Sequence, residues 1–267
     1  MMYPMTVTSH RSTLADLVRG VVVALLAVAQ VAVAGLSGSG AFGESQGVVA
    51  NSYATPLLAA GWTFAIWGPI YLLFLVYAGY QLLPRQRARE VHRRTGWWLA
   101  ASAVLNPAWI VAFGARAVPV AELLLVALMV ALAVVFGRLS REPAVDLTER
   151  IAFRGPVALY TGWVSLATVL GTAATGVWAG LPGDNALAEI AAVVVLLAAA
   201  AIVAWVVLSG TAVIGYAAAT VWALAGIALN NPPAAVVVTG AVAIVAILAA
   251  TYCRLATAAN PRRAAWG

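Results

Sequence analysis

Few residues in this chain could do covalent or acid–base chemistry. There is one cysteine, Cys253, and two histidines, His10 and His92. A single cysteine makes neither an intrachain disulfide nor a thiolate metal site. Both histidines fall in hydrophilic segments, where a lone imidazole is expected to be solvated. No apolar segment therefore offers a His pair for haem or zinc, and no Ser-His-Asp set can form. Every basic residue is Arg, so a retinal Schiff base and a phosphate loop ending in Lys are both excluded. The acids inside apolar segments are Glu122 and Glu189, each near a helix start, where a carboxylate complements the helix dipole. Glu122 is expected to pair with nearby Arg116. The chain reads as a non-enzyme.

What remains is aromatic. The stretch Ala60 to Gln81 carries Trp62, Phe64, Trp67 and Tyr71. A helix turns about 100° per residue, so 64, 67 and 71 share one face. Asn106, Trp109 and Phe113 repeat that spacing, and Tyr160, Trp163 and Leu170 form a third stripe. Aromatic stripes ordinarily pack helices or sit in interfacial belts. Three at one depth, one bearing an intramembrane Asn next to Pro107, point instead to a shared pocket. A buried Asn needs partners, and Pro107 frees a carbonyl one turn earlier, near Ala103. Flat rings around a polar niche suit a planar, amphipathic ligand such as a tetrapyrrole (porphyrin or haem) or a sterol. The expected ligand-binding set is Trp62, Phe64, Trp67, Tyr71, Asn106, Trp109, Phe113, Tyr160 and Trp163. No cofactor is obligatory and no metal site is expected.

These residues need helices to hold them, and composition says where the helices lie. The chain is 64% hydrophobic and 9% charged, against about 25% charged in a soluble domain. That leaves too little polar surface for a water-soluble globule, so this is an integral membrane protein of all-α, helix-bundle class. Eight apolar spans of about 20 residues are expected: 17–36, 60–81, 96–113, 120–136, 156–178, 187–208, 211–229 and 233–252. Asn230-Asn231-Pro232-Pro233 and the weaker Ser209-Gly210 separate the last three. The first span also has the shape of a signal peptide ending at Ala34, but its apolar run is long for one, and a retained helix is the expectation. Residues 37 to 59 form a long, small-residue loop that suits a lid or a plain linker equally well.

The net charge of +6 invites a nucleic-acid reading, but the arginines sit between apolar spans. With both termini inside, fourteen of the fifteen arginines, beginning with Arg11 and Arg19, fall on the cytoplasmic side and only Arg116 falls outside. That bias sets an N-in, C-in topology, and no nucleic-acid partner is expected. Three functional classes fit: a ligand-binding receptor or sensor, a small-molecule transporter, and a structural membrane module.

The segments AGWTFAIWGPIY, NPAWIVAFGAR followed by AELLLVAL, and GPVALYTGWVSLATVLGTAATGVW, in this order, resemble the translocator protein / tryptophan-rich sensory protein (TspO/MBR) family. Trp67 and Tyr71 match its second-helix motif, and Asn106, Trp109 and Phe113 its third. Glu122 matches the acid opening the fourth helix, and Tyr160 and Trp163 the fifth-helix motif. The resemblance covers about residues 15 to 180. The family's Trp-x-Pro-Pro element is reduced here to Tyr53, Thr55 and Pro56, and its late fifth-helix Asn is replaced by small residues around Gly171 and Thr172. What the resemblance implies is a five-helix core over 1–183 and a three-helix extension over 184–267. It implies a porphyrin-, haem- or sterol-type ligand, a sensory, regulatory or transport role, a homodimer within the bilayer, and a bacterial inner membrane. The porphyrin breakdown reported for some members depends on the missing Trp and is not implied.

Overall fold

The computed structural model describes residues 12–267, and among them every regular element is a helix. His10 and Arg11 lie outside the described residues. Seven helical runs are long and apolar enough to cross a membrane, and an eighth, shorter apolar helix lies among them. The chain is therefore a polytopic helical membrane protein.

The first helix, α1 (Leu14–Gly38), opens on a Thr13 capping box whose N3 member is Asp16. Asp16 is buried and also accepts from Arg19 Nη1 at 2.9 Å and Arg93 Nη2 at 2.7 Å. After α1 the chain forms the short helix α2 (Gln46–Ser52) and a 3₁₀ turn, Gly61–Ile66, which leads into α3 (Trp67–Leu82). The second span is thus two kinds of helix in series.

Helix α4 (Glu90–Gly114) starts six residues before the expected apolar boundary and runs unbroken through Pro107. Apolarity marks where lipid begins, whereas a helix continues as long as its polar side chains find partners. Residues 90 to 95 do so: Arg93 reaches Asp16, and Arg94 reaches Glu90 and Glu142. His92 corrects the expectation of a solvated loop histidine. It is fully buried on α4 against the rings of Tyr77, Tyr80 and Phe153, at 5.2–5.9 Å between centroids.

Helix α5 (Val118–Arg141) is followed by the single turn α6 (Leu147–Glu149), a π-helical turn at Arg150–Arg154, and α7 (Gly155–Trp178). Then come α8 (Ala186–Ser209), α9 (Val213–Ala228), α10 (Ala234–Thr257) and the terminal α11 (Pro261–Trp266). The Ser209-Gly210 break is real. Ala212 adopts a left-handed φ of 57°, and the Arg254 guanidinium donates to the Gly210 carbonyl at 3.0 and 3.2 Å.

The helices after Asp184 dock on those before it. Helix α9 packs along α7, where Gly162 sits against the Tyr216 backbone. The Trp222 indole donates to the Thr63 carbonyl at 2.9 Å, and Ala60 N–H donates to the Gly226 carbonyl at 2.9 Å. Small residues of the fifth span thus serve contacts within the chain.

Contacts among the described arginines gather them at one end of the bundle. Arg19 reaches the Arg87 carbonyl, Arg138 the Arg94 carbonyl, Arg150 the Gly267 carbonyl and Arg263 the Arg141 carbonyl. Arg116 lies at the opposite end, bidentate to Glu44 at 2.8 and 3.0 Å, and also bonded to Ser52. By the positive-inside bias the Arg116 end faces outward.

Candidate functional site

The three aromatic stripes meet, and Trp67 is where they meet. On the first turn of α3 its ring stacks on Tyr71 of the same helix, with centroids 5.5 Å apart. It lies 5.7 Å from Trp109 on α4, and 5.9 and 6.0 Å edge-on from Tyr160 and Trp163 on α7. Phe64 reaches Trp163 at 6.3 Å, and Trp109 stacks on Phe113 at 5.6 Å. Offset and edge-to-face pairs at these separations are the favoured arrangement of aromatic rings.

On the outward side of this cluster lies a cavity of about 60 Å³. Phe64, Trp67, Trp109, Phe113 and Trp163 border it, so five of the nine expected residues line it. Tyr71, Asn106 and Tyr160 lie behind Trp67, one layer deeper. There Tyr71 Oη donates to Asn106 Oδ1 at 3.1 Å, and all three residues are buried. Trp62 lies elsewhere. It is about half exposed and meets Trp222 edge-on at 4.8 Å. Its place two residues before Phe64 accounts for this: at 100° or at 120° per residue, Trp62 falls on a different face from Phe64 and Trp67.

The roof comes from the loop before the second span. Ala50, Tyr53, Thr55, Leu57, Leu58 and Ala59 all face the cavity. Glycine chemistry lets the loop sit this close. Gly43 has a φ of 97°, and a Cβ there would collide with the Gly114 carbonyl at the end of α4. Glu44 N–H donates to that same carbonyl at 3.1 Å. No periodicity marks this roof in the sequence; a length of more than 20 residues without polar bias is the only signal it leaves.

The Arg116 guanidinium beside Glu44 holds its carboxyl below the usual Glu range. A lowered folded pKa means that the pair contributes above the ordinary Glu value of 4.5 and is lost as pH falls through the depressed value. Hydrogen-exchange protection of residues 46–53, normalised to intrinsic rates, is expected to hold from neutrality to about pH 5 and to drop in stronger acid. In Arg116→Gln it should be low throughout.

Glu122 also departs from expectation. It makes no bond to Arg116, which Glu44 already occupies. Instead Thr172 Oγ1 donates to Glu122 Oε1 at 2.6 Å. Glu122 Oε2 is buried without a protein partner, as are the indole nitrogens of Trp67 and Trp163. Three residues of the cavity wall therefore each hold a buried polar atom without a protein partner. Such groups cost free energy unless something bonds to them.

A second, larger space adjoins the first. A groove of about 310 Å³ runs between α7 and α8, lined by Val169, Thr172, Gly176, Leu181 and Val195 among others. Thr55 and Leu57 border both spaces, so the same loop closes each from above. Among the described residues no group of three or more His, Cys, Asp or Glu side chains is placed to hold a metal ion.

A family profile described as "TSPO-like protein" matches residues 20–253. The match begins inside α1 and continues past Asp184 through α10, so it takes in helices beyond the five that the motifs alone suggest. No curated protein and no solved structure matches the chain. The profile covers most of the chain, and the chain belongs to the TSPO-like protein family.

Proposed function

We propose that this protein is a membrane receptor or sensor that binds a flat, largely apolar ligand in the outer cavity. The observation that carries the reading is the cavity's wall. Five aromatic side chains from α3, α4, α7 and the turn before α3 surround it, and the Trp67 and Trp163 N–H groups and a Glu122 oxygen lack protein partners. Rings supply contact area and the polar groups supply orientation. Tetrapyrrole and sterol skeletons are the two ligand types of that shape, and neither is an obligatory cofactor. Either exceeds 60 Å³, so entry requires the roof to lift or the ligand to extend into the groove beside α7. The bilayer and this ligand are the partners the reading needs. Self-association into a homodimer and residence in a bacterial inner membrane complete the proposal.

Binding is tested by filling the cavity without removing a ring. Ala167 faces it from α7 and is only partly buried. Wild-type protein in nanodiscs is expected to show saturable Trp quenching by protoporphyrin IX, or saturable retention of cholesterol, and Ala167→Phe should weaken that binding at least about tenfold, about 1.4 kcal/mol. Equal binding by the two proteins would remove the cavity from consideration.

A further inference from the structure

Glu122 has a setting that its position in a first turn does not require. Among the described residues lining the cavity it is the only one with a formal charge. One oxygen is engaged by Thr172 and the other, Oε2, has no protein partner. Gly171 makes the placement possible, because a Cβ there would overlap Oε2, and the carboxylate lies in the notch glycine leaves. The rings of Phe64, Trp67, Trp109, Phe113 and Trp163 line the same cavity.

A carboxylate beside several π faces is the chemistry that holds an ammonium group. Ring quadrupoles attract a cation placed over their faces, most strongly for Trp. The carboxylate supplies the countercharge, and low polarity nearby strengthens the attraction.

The charge of the whole outer end has the same sign. Glu44, Glu122, Asp184 and Glu189 lie there by the topology above, against the single cation Arg116. Arg116 is already bound to Glu44. A cleft lined by one sign of charge concentrates ions of the other sign.

We propose that the outer cavity receives the ammonium group of an organic amine, with the Glu122 side chain as counter-ion and Trp67, Trp109 and Trp163 in the same lining. This rests on the reading that the cavity is a ligand site, and it adds amphiphilic amines to the ligands that site takes. A volume of about 60 Å³ suits a small ammonium head, and the apolar remainder would extend into the groove beneath Thr55 and Leu57.

Matched probes test it. Benzyltrimethylammonium, its uncharged carbon isostere neopentylbenzene, and phenylacetate are titrated into the nanodisc-embedded protein, with Trp fluorescence as readout. Wild type should bind the cation about tenfold or more tightly than the isostere, with phenylacetate weakest. Glu122→Gln should erase the gap between cation and isostere, and Glu122→Asp should restore part of it. Melting curves confirm that each variant is folded. If the isostere binds as well as the cation, or if Glu122→Gln keeps the preference, the amine assignment is wrong. If protoporphyrin IX or cholesterol still binds in an Ala167-sensitive way while the cation does not, only this inference falls. If no probe of either experiment binds, the ligand-site reading falls with it.

Discussion

Glu149→Ala is expected to destabilise the bundle by about 3–5 kcal/mol, the cost of stripping one partner from a buried charge pair. Glu149 is fully buried where α6 passes into the π-turn. Its carboxylate accepts from Arg89 Nη2 at 2.6 Å, Arg154 Nε at 2.8 Å and the Val145 N–H at 3.2 Å. Arg154 is 2% exposed and also donates to the Leu139 and Glu142 carbonyls at 2.6 and 2.5 Å. Through Glu149 and Arg154 the end of α5 is tied to the start of α7, and Arg89 adds the segment leading into α4. Without the carboxylate, Arg154 keeps its two carbonyls but loses its countercharge in a site water does not reach. Arg89 is about a quarter exposed and can turn outward. The double variant Glu149→Leu, Arg154→Met should therefore be less destabilised than Glu149→Ala alone, since a buried pair replaced whole by apolar groups often costs little. Denaturant titration in detergent micelles measures both. A Glu149→Ala loss under about 1 kcal/mol would mean that the inner end does not depend on this pair.

Trp67→Ala is expected to cost a similar amount, about 3–5 kcal/mol, because truncating a core Trp removes its transfer free energy and leaves a void. Trp67 is the ring shared by Tyr71, Trp109, Tyr160 and Trp163, and it is 7% exposed. Trp62→Ala is the control. That side chain is 45% exposed with one aromatic neighbour, and its loss should cost about 1 kcal/mol. Equal losses at 62 and 67 would show that the cluster is not the organising contact of the outer half. The void at 67 also opens into the outer cavity, so small aromatic probes should raise the melting temperature of Trp67→Ala more than that of wild type.

Several of these features are legible in the residues. Apolar run length finds every long helix, and helical spacing finds Trp67, Trp109 and Trp163, because both signals are local. The 3₁₀ turn at Gly61–Ile66 is not visible, since an apolar segment with aromatic spacing fits either helix type, whereas Trp62 lies off the face of Phe64 and Trp67 in both. His92 looks solvated because its neighbours in sequence are charged. Its burial comes from the rings of Tyr77, Tyr80 and Phe153 on other elements, and no single segment encodes that. Glu122 has Arg116 nearby in sequence, yet Glu44, more than 70 residues away along the chain, takes the arginine. The notch at Gly171 that receives Glu122 resembles any small residue in an apolar helix until α5 and α7 are placed side by side.

The proposed ligand site lies under the 44–60 segment, between α3, α4, α5 and α7. Photolabelling of the protein in nanodiscs with a diazirine-bearing sterol, with peptide mapping, tests it most directly. The expected result is labelling of residues within 50–67, 109–125 and 163–175 that excess unlabelled cholesterol suppresses and Ala167→Phe abolishes. Labelling confined to outward-facing side chains such as Leu72, Trp205 or Val245, unaffected by competitor or by Ala167→Phe, would contradict it.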